Sequence, residues 1–181
     1  NINNYNICEK DILKKITKKT KAIIIVHLHG LTANMNKILK ILKNKKIKII
    51  EDCAQSHGSK LGNKKSGSFG DFGCFSFYPT KNLNCIGDGG IITTNNYNYY
   101  YLAKKIRQYG WRSRDNSEII GINSRLDEIQ AAILLIKLSR LDKLNRARRK
   151  IARQYLKNIS NKKIILPKID DLNKHVFHHF V

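Results

Sequence analysis

Ile50-Glu51-Asp52-Cys53-Ala54-Gln55, then Phe75-Ser76-Phe77-Tyr78-Pro79-Thr80-Lys81-Asn82, then Gly87-Asp88-Gly89-Gly90 are the stretches that decide how this chain folds. An acid closes one short apolar run, and a lysine follows just beyond a second. Working outward, Ile47-Lys48-Ile49-Ile50 reads as a strand that delivers Glu51 and Asp52 to its end. Upstream, Ala22-Ile23-Ile24-Ile25-Val26 is a continuous β-branched run of strand length, the pattern of a strand buried on both faces. It stops at His27-Leu28-His29-Gly30. Between these strands, Thr32 to Asn44 has helical spacing, with Met35, Ile38, Leu39 and Leu42 on one side. Strand, helix and strand in this order predict a right-handed βαβ unit in a parallel sheet.

The flanks extend the pattern. Residues 9–19 read as a short basic helix, and the glycine-rich stretch from Gly58 to Gly73 as loop. Cys74 to Phe77 and Gly90 to Thr94 read as strands on either side of the Lys81 loop. Asn95 or Asn96 can cap a helix running to about Gln108. Ser124-Arg125-Leu126-Asp127 has the form of a capping box opening the longest helix, roughly 125–157. Ile129, Ile133, Ile136 and Leu141, with Leu134, Leu138 and Leu144, form its apolar stripe. Leu166-Pro167 ends that unit, and a new element begins near His175. The fold class is α/β, a mostly parallel sheet flanked by helices.

The chain has 181 residues, enough for one domain with a real core or a core plus part of a second. It opens on Asn1, its only methionine is Met35, and it stops inside the apolar run Phe180-Val181. A piece of a longer product, truncated at both ends, is therefore expected. The formal charge of +22 would ordinarily suggest nucleic acid or an anionic membrane. The lysines, however, are spread along the whole chain among many Asn and Ile, residues that share A/T-rich codons. No RNA-binding aromatic signature, zinc spacing or helix-turn-helix pattern accompanies them. Arg146-Ala147-Arg148-Arg149-Lys150 reads as one solvated helix face. Cys8, Cys53, Cys74 and Cys85 form no C-x-x-C pair, so reduced cysteines in a cytoplasmic protein are expected and metal ligation is not. No apolar run approaches the ~20 residues of a membrane span.

In an open parallel sheet, ligands bind beyond the carboxyl ends of the strands. Asp52, Ser76 and Lys81 all fall at or just past such ends. A lysine amine can form a Schiff base with an aldehyde. A carboxylate beside a pyridine nitrogen keeps the ring protonated, and the charged ring then draws electrons from a substrate carbanion. A serine hydroxyl suits a phosphate. Singly, an Asp after a strand is a turn residue and a loop lysine is solvated. Together, by spacing and placement, they point to a heteroaromatic aldehyde such as pyridoxal 5'-phosphate (PLP).

The ordered motifs around these residues carry a resemblance. Glu51-Asp52-Cys53-Ala54-Gln55-Ser56-His57-Gly58, Gly67-Ser68-Phe69-Gly70-Asp71-Phe72-Gly73 and Phe75 through Leu83 resemble the PLP-dependent sugar aminotransferases of the DegT/DnrJ/EryC1/StrS family. So do Val26-His27-Leu28-His29-Gly30, Gly87-Asp88-Gly89-Gly90 and Gly121-Ile122-Asn123-Ser124-Arg125-Leu126-Asp127-Glu128-Ile129-Gln130-Ala131-Ala132. The similarity runs along essentially the whole chain. Arg107-Gln108-Tyr109-Gly110-Trp111-Arg112-Ser113-Arg114 looks most like the branch acting on 3-keto deoxysugar nucleotides.

The resemblance implies the large domain of a fold type I PLP-dependent transferase over residues 1–160, with 161–181 starting a C-terminal small domain. It implies amino transfer from L-glutamate to a nucleotide-linked keto sugar, in amino-sugar and cell-surface polysaccharide biosynthesis. Lys81 would be the Schiff-base lysine and proton carrier, Asp52 the partner of the pyridinium nitrogen, Gln55 a neighbour of the ring, and Ser76 a phosphate ligand. Asn123 would reach the cofactor phosphate of the other subunit of a homodimer. Tyr78 and Arg125 would touch the sugar or the glutamate carboxylate. His57, His27 and His29 would be packing or strand-end residues. Relatives also carry an N-terminal segment with a phosphate-cradling turn and a small domain over the site, neither of which is in these residues.

Two other functions remain open at this stage. Related sugar dehydrases eliminate instead of transaminating, but they carry histidine in place of the Schiff-base lysine. A basic, non-catalytic binding protein or regulator on the same fold would account for the charge.

Overall fold

The computed structural model describes all residues 1–181. Helix α1 spans Glu9–Lys15, strand β1 Ala22–Val26, helix α2 Met35–Leu42 and strand β2 Lys48–Asp52. Two short strands, β3 (Lys60–Leu61) and β4 (Lys64–Lys65), precede β5 (Phe72–Ser76) and β6 (Gly90–Thr93). Helix α3 covers Tyr97–Ile106, strands β7 and β8 cover Trp111–Ser113 and Asn116–Ser117, and helix α4 covers Glu128–Asn158.

One four-stranded sheet, in the order β1-β2-β5-β6, organises the molecule. β1, β2 and β5 run parallel, with Val26 beside Asp52 and Asp52 beside Cys74. β6 returns antiparallel, with Gly90 beside Ser76. The β1–α2–β2 unit is the one expected from the hydrophobic spacing. Asn34 caps α2 by accepting from the Lys37 N–H at 3.3 Å, and Asn96 caps α3 by accepting from Asn98 and Tyr99.

Ile12, Ile25, Ala33, Met35, Ile38, Leu42 and Ile49 form a core between α1, α2 and one face of the sheet. Phe77, Leu83, Cys85, Leu134 and Leu141 form a second core where α4 crosses the Lys81 loop. The sheet's other face is largely open toward the strand ends. Ile24 is 61% exposed, Val26 37% and Ile92 55%, and Asp52, Cys74 and Ser76 share that face by register. β1 is thus not buried on both sides as its unbroken apolar run suggests: on the second side Tyr99 of α3 stacks on Phe72 of β5, ring centroids 4.9 Å apart, and leaves Ile24 and Val26 open.

Other expectations shift at their edges. β5 begins at Phe72, and Phe77 lies beyond its end. The first helix stops at Lys15. The 58–73 stretch contains the β3–β4 hairpin, and β7–β8 forms a second hairpin that no alternation announced. α4 starts at Glu128, with Asp127 as an N-cap whose side chain makes no capping bond. The Ser124 box fails because the segment before Asp127 pairs sideways: Asn123 bridges Gln108, and the Ser124 N–H donates to the Arg107 carbonyl at 2.9 Å. The stripe of α4 is also narrower than its apolar content. Leu134, Leu141, Asn145 and Ala152 are buried, whereas Ile129, Ile136, Leu138 and Leu144 stay exposed. Residues 175–178 fold back onto the core, where the Val176 N–H donates to the Gly30 carbonyl at 2.9 Å.

Candidate functional site

β2 ends on Asp52, β5 on Ser76 and β1 runs into His27, and successive residues of a strand point to opposite faces. Glu51 and Asp52 therefore part company. Glu51 turns into the core beside His27, and neither side chain is exposed to solvent. The Ala33 N–H donates to His27 Nδ1 at 3.1 Å, so that nitrogen is bare and Nε2 carries the proton it donates to Glu51 Oε2 at 2.8 Å. The Glu51 carboxylate also accepts from the N–H groups of Gly67 (2.8 Å), Phe69 (2.7 Å) and Gly70 (2.7 Å). Burial alone would raise its pKa, but His27 and the Gly70 and Gly67 amides outweigh it and hold the group below the usual carboxylate range. Cys53 lies close by, its thiol pushed up by burial. Although His27, Glu51 and Cys53 bring ligand-type atoms within 4.8 Å of one another, both His27 nitrogens are committed and the thiol is held protonated. This cluster braces the sheet.

Asp52 faces the open side. One carboxylate oxygen accepts from the Ala54 N–H at 3.0 Å, and the other makes no hydrogen bond within the chain. Gln55 accepts from the His29 N–H at 2.7 Å, which ties the end of β1 to the Asp52 arm. Ser76 Oγ accepts from the Tyr78 N–H at 3.3 Å and keeps its own proton free. Lys81 follows in a turn closed by its N–H on the Tyr78 carbonyl at 2.9 Å, and its amine is in no ion pair. The Asn84 side chain donates to the Pro79 and Lys81 carbonyls, each at 2.8 Å, and so sets the loop's shape.

His57 lies underneath. Its ring centroid is 5.5 Å from that of Phe75 and 6.0 Å from that of Phe77, and both ring nitrogens are buried without a partner. Burial, with a smaller contribution from the Lys81 charge, pushes its pKa down to about 4. The ring is therefore neutral at pH 7.

The structure brings Asp52, Gln55, Ser76 and Lys81 to one rim; no hydrogen bond ties Asn123 or Arg125 to them. Asn123 is exposed beyond the second hairpin, where its side-chain oxygen accepts from Arg125 Nε at 3.1 Å. The Arg125 guanidinium sits 5.6 Å over the Tyr109 ring. Beside it opens a groove of about 480 Å³, lined by Tyr101, Lys104, Lys105, Trp111, Arg112, Arg114 and Arg125 among others. Tyr78 is 52% exposed at the mouth of the Lys81 turn. Sequence reasoning missed Glu51 as the hub of the strand ends. The signal was there: of two adjacent acids at a strand end, one must face inward.

The sequence profile described as "DegT/DnrJ/EryC1/StrS aminotransferase family" matches residues 1–181. The chain belongs to this aminotransferase family. The dTDP-3-amino-3,6-dideoxy-alpha-D-galactopyranose transaminase of Aneurinibacillus thermoaerophilus is 50% identical over 180 residues, covering 99% of this chain and 50% of that protein. The crystal structure of S. venezuelae DesV in complex with a ketimine intermediate superposes with a TM-score of 0.94 at 36% identity, over 99% of this chain and 49% of DesV. The E. coli GDP-4-keto-6-deoxy-D-mannose-3-dehydratase with bound hydrated PLP superposes with a TM-score of 0.90 at 27% identity, covering 99% of this chain and 51% of that one. The family member described here spans about half the length of each of these relatives.

Proposed function

We propose that this chain is the cofactor-binding part of an aminotransferase that moves an amino group from L-glutamate to the keto group of a nucleotide-linked deoxysugar, with pyridoxal 5'-phosphate as cofactor. One observation carries the reading. At the carboxyl end of a parallel sheet, Asp52 keeps a free carboxylate oxygen, Ser76 a free hydroxyl and Lys81 an unpaired amine, in a member of an aminotransferase family. Unpaired polar groups on one open face fit a flat, charged, phosphorylated ligand.

Bound PLP would supply an aldehyde for the Lys81 amine and a ring that takes up electrons from the substrate carbon. Asp52 would hold the proton at the ring nitrogen, and the Ala54 N–H keeps that carboxylate turned outward. Ser76 would donate to the phosphate. Lys81 would carry the proton to and from the substrate carbon. Gln55 would border the ring, its orientation set by the His29 N–H. Neutral His57 adds no second positive charge beneath Lys81.

The homodimer expected from the family resemblance is supported by Asn123 and Arg125, which are exposed and make no hydrogen bond to this rim. Asn123 would then reach the partner's cofactor phosphate, and Tyr78 and Arg125 the sugar or the glutamate carboxylate. Residues 1–160 would form the cofactor half, with 161–181 leading toward a smaller domain. No helix is long and apolar enough to cross a membrane, and the four unpaired cysteines suit the reducing cytoplasm.

Lys81 favours transfer over elimination. The test is to mix the full-length, PLP-loaded protein with L-glutamate and follow the visible spectrum. Conversion to the pyridoxamine form, with release of 2-oxoglutarate, supports the reading. A spectrum indifferent to glutamate overturns it in favour of a dehydrase or a non-catalytic relative.

A further inference from the structure

The two arms of the candidate site come from separate segments. Asp52 to His57 follows β2, and the Lys81 loop follows β5. One side chain touches both. Asn145, in the middle of α4, is 2% exposed. Its Nδ2 donates to the His57 carbonyl at 2.9 Å, and its Oδ1 accepts from Asn82 Nδ2 at 2.9 Å. Asn82, which follows Lys81 directly, also donates to the Val176 carbonyl at 2.8 Å and accepts from His178 Nδ1 at 3.2 Å.

The cost of this arrangement is informative. Leu134 and Leu141 lie on the same buried stripe of α4, and a leucine at 145 would continue it without any buried polar group. An amide is tolerated only where its partners are all present, and then it fixes one geometry among many. The surroundings are shaped to admit it. Gly58 has φ +84°, and a Cβ there would stand 3.0 Å from Asn145 Nδ2. No charge near Lys81 could do the same work, since its amine is in no ion pair.

We infer that Asn145 is a positioning residue, whose amide holds the Asp52–His57 arm and the Lys81 loop at the separation one cofactor ring requires. The inference rests on the aminotransferase reading of the site. Through Asn82 the same clamp reaches the strap at 175–178, so Lys81 is referenced to α4, the Asp52 arm and the strap together. A loop-borne amine needs such support, because misplacement by about 1 Å is enough to spoil a reacting geometry.

The test compares full-length wild type with Asn145→Ala and with Ala152→Gly. Ala152 is equally buried in α4 but its methyl can make no hydrogen bond to either arm, so its variant weakens the helix while leaving the clamp's bonds in place. Backbone hydrogen exchange is measured on the cofactor-free proteins, and the pH midpoint of the visible band on the PLP-loaded ones. For Asn145→Ala, exchange at residues 78–85 should rise about tenfold, the order of factor that one lost buried hydrogen bond produces. Its pH midpoint should move by about half a unit or more, while Ala152→Gly changes neither. Where the alanine variant is too unstable, Asn145→Asp keeps an acceptor toward Asn82 but sets a second acceptor oxygen against the His57 carbonyl. Exchange at residues 54–58 should then rise more than at 78–85.

Unchanged exchange at 78–85 in Asn145→Ala, or equal effects from Ala152→Gly, would overturn the proposal. A wild type that takes up no PLP would sink the aminotransferase reading instead. The exchange comparison would still decide whether Asn145 holds the loop.

Discussion

Exchanging Glu51 for glutamine changes one buried charge and almost no volume, and the structure sets the size of the loss. The carboxylate accepts four hydrogen bonds of 2.7–2.8 Å, from His27 Nε2 and from the N–H groups of Gly67, Phe69 and Gly70. A glutamine offers only one acceptor oxygen. If that oxygen keeps Phe69 and Gly70, the new NH₂ faces the Gly67 N–H and the His27 N–H; flipping the amide only exchanges the victims. His27 cannot yield, because its other nitrogen must accept from Ala33. Two charge-assisted bonds at about 1.5–3 kcal/mol each give a loss of about 3–6 kcal/mol. That is a large share of the roughly 5–15 kcal/mol by which domains are stable.

Urea unfolding of full-length wild type and E51Q, followed by circular dichroism at pH 7, measures the loss. The sign of its pH dependence is also set. Glu51 is held below its ordinary value, so its stabilisation is present above the unfolded pKa of 4.5 and is lost as pH falls through the lower folded value. The gap between the two proteins should therefore close in acid. A loss under about 1 kcal/mol at pH 7, within the range of ordinary surface substitutions, would refute the hub.

Three further expectations are separate from that one. His57 and His175 are neutral in the core with pKa values near about 4, against 6.5 unfolded, so stability should hold above pH 6.5 and fall between 6.5 and 4. The loss is about 3 kcal/mol for each and is removed by His57→Phe or His175→Phe; a flat profile from pH 7 to 4.5 would contradict it. Gly58→Ala forces a side chain into a left-handed backbone and against Asn145, so denaturant titration should show a loss of at least 1–2 kcal/mol, roughly the left-handed penalty alone. Lys81→Ala, at a side chain with no bonding partner, should abolish covalent retention of PLP while shifting stability by no more than about 0.5 kcal/mol.

Much of the sheet was legible because strand length, β-branching and helical spacing coincide from Ala22 to Asp52. Asp52, Ser76 and Lys81 were legible for a related reason: a polar residue that ends an apolar run sits at a strand end. What lay hidden depends on contacts between distant segments. The open face of β1 cannot be told from a covered one by its own residues. Glu51 and Asp52 look alike until the pleat assigns them to opposite faces. Asn145 reads as a solvated residue in a lysine- and arginine-rich helix, and only the approach of His57 and Asn82 shows it to be buried. The start of α4 was misplaced because Asn123 and Ser124 prefer partners in the turn after α3 to a capping role.

Lys81 is the residue on which the account stands. Full-length protein loaded with PLP should be reduced with borohydride, digested, and mapped by mass spectrometry. The account predicts a single pyridoxyl adduct, on the peptide bearing Lys81, that disappears in Lys81→Ala. An adduct on a different lysine, or none at all, would contradict it.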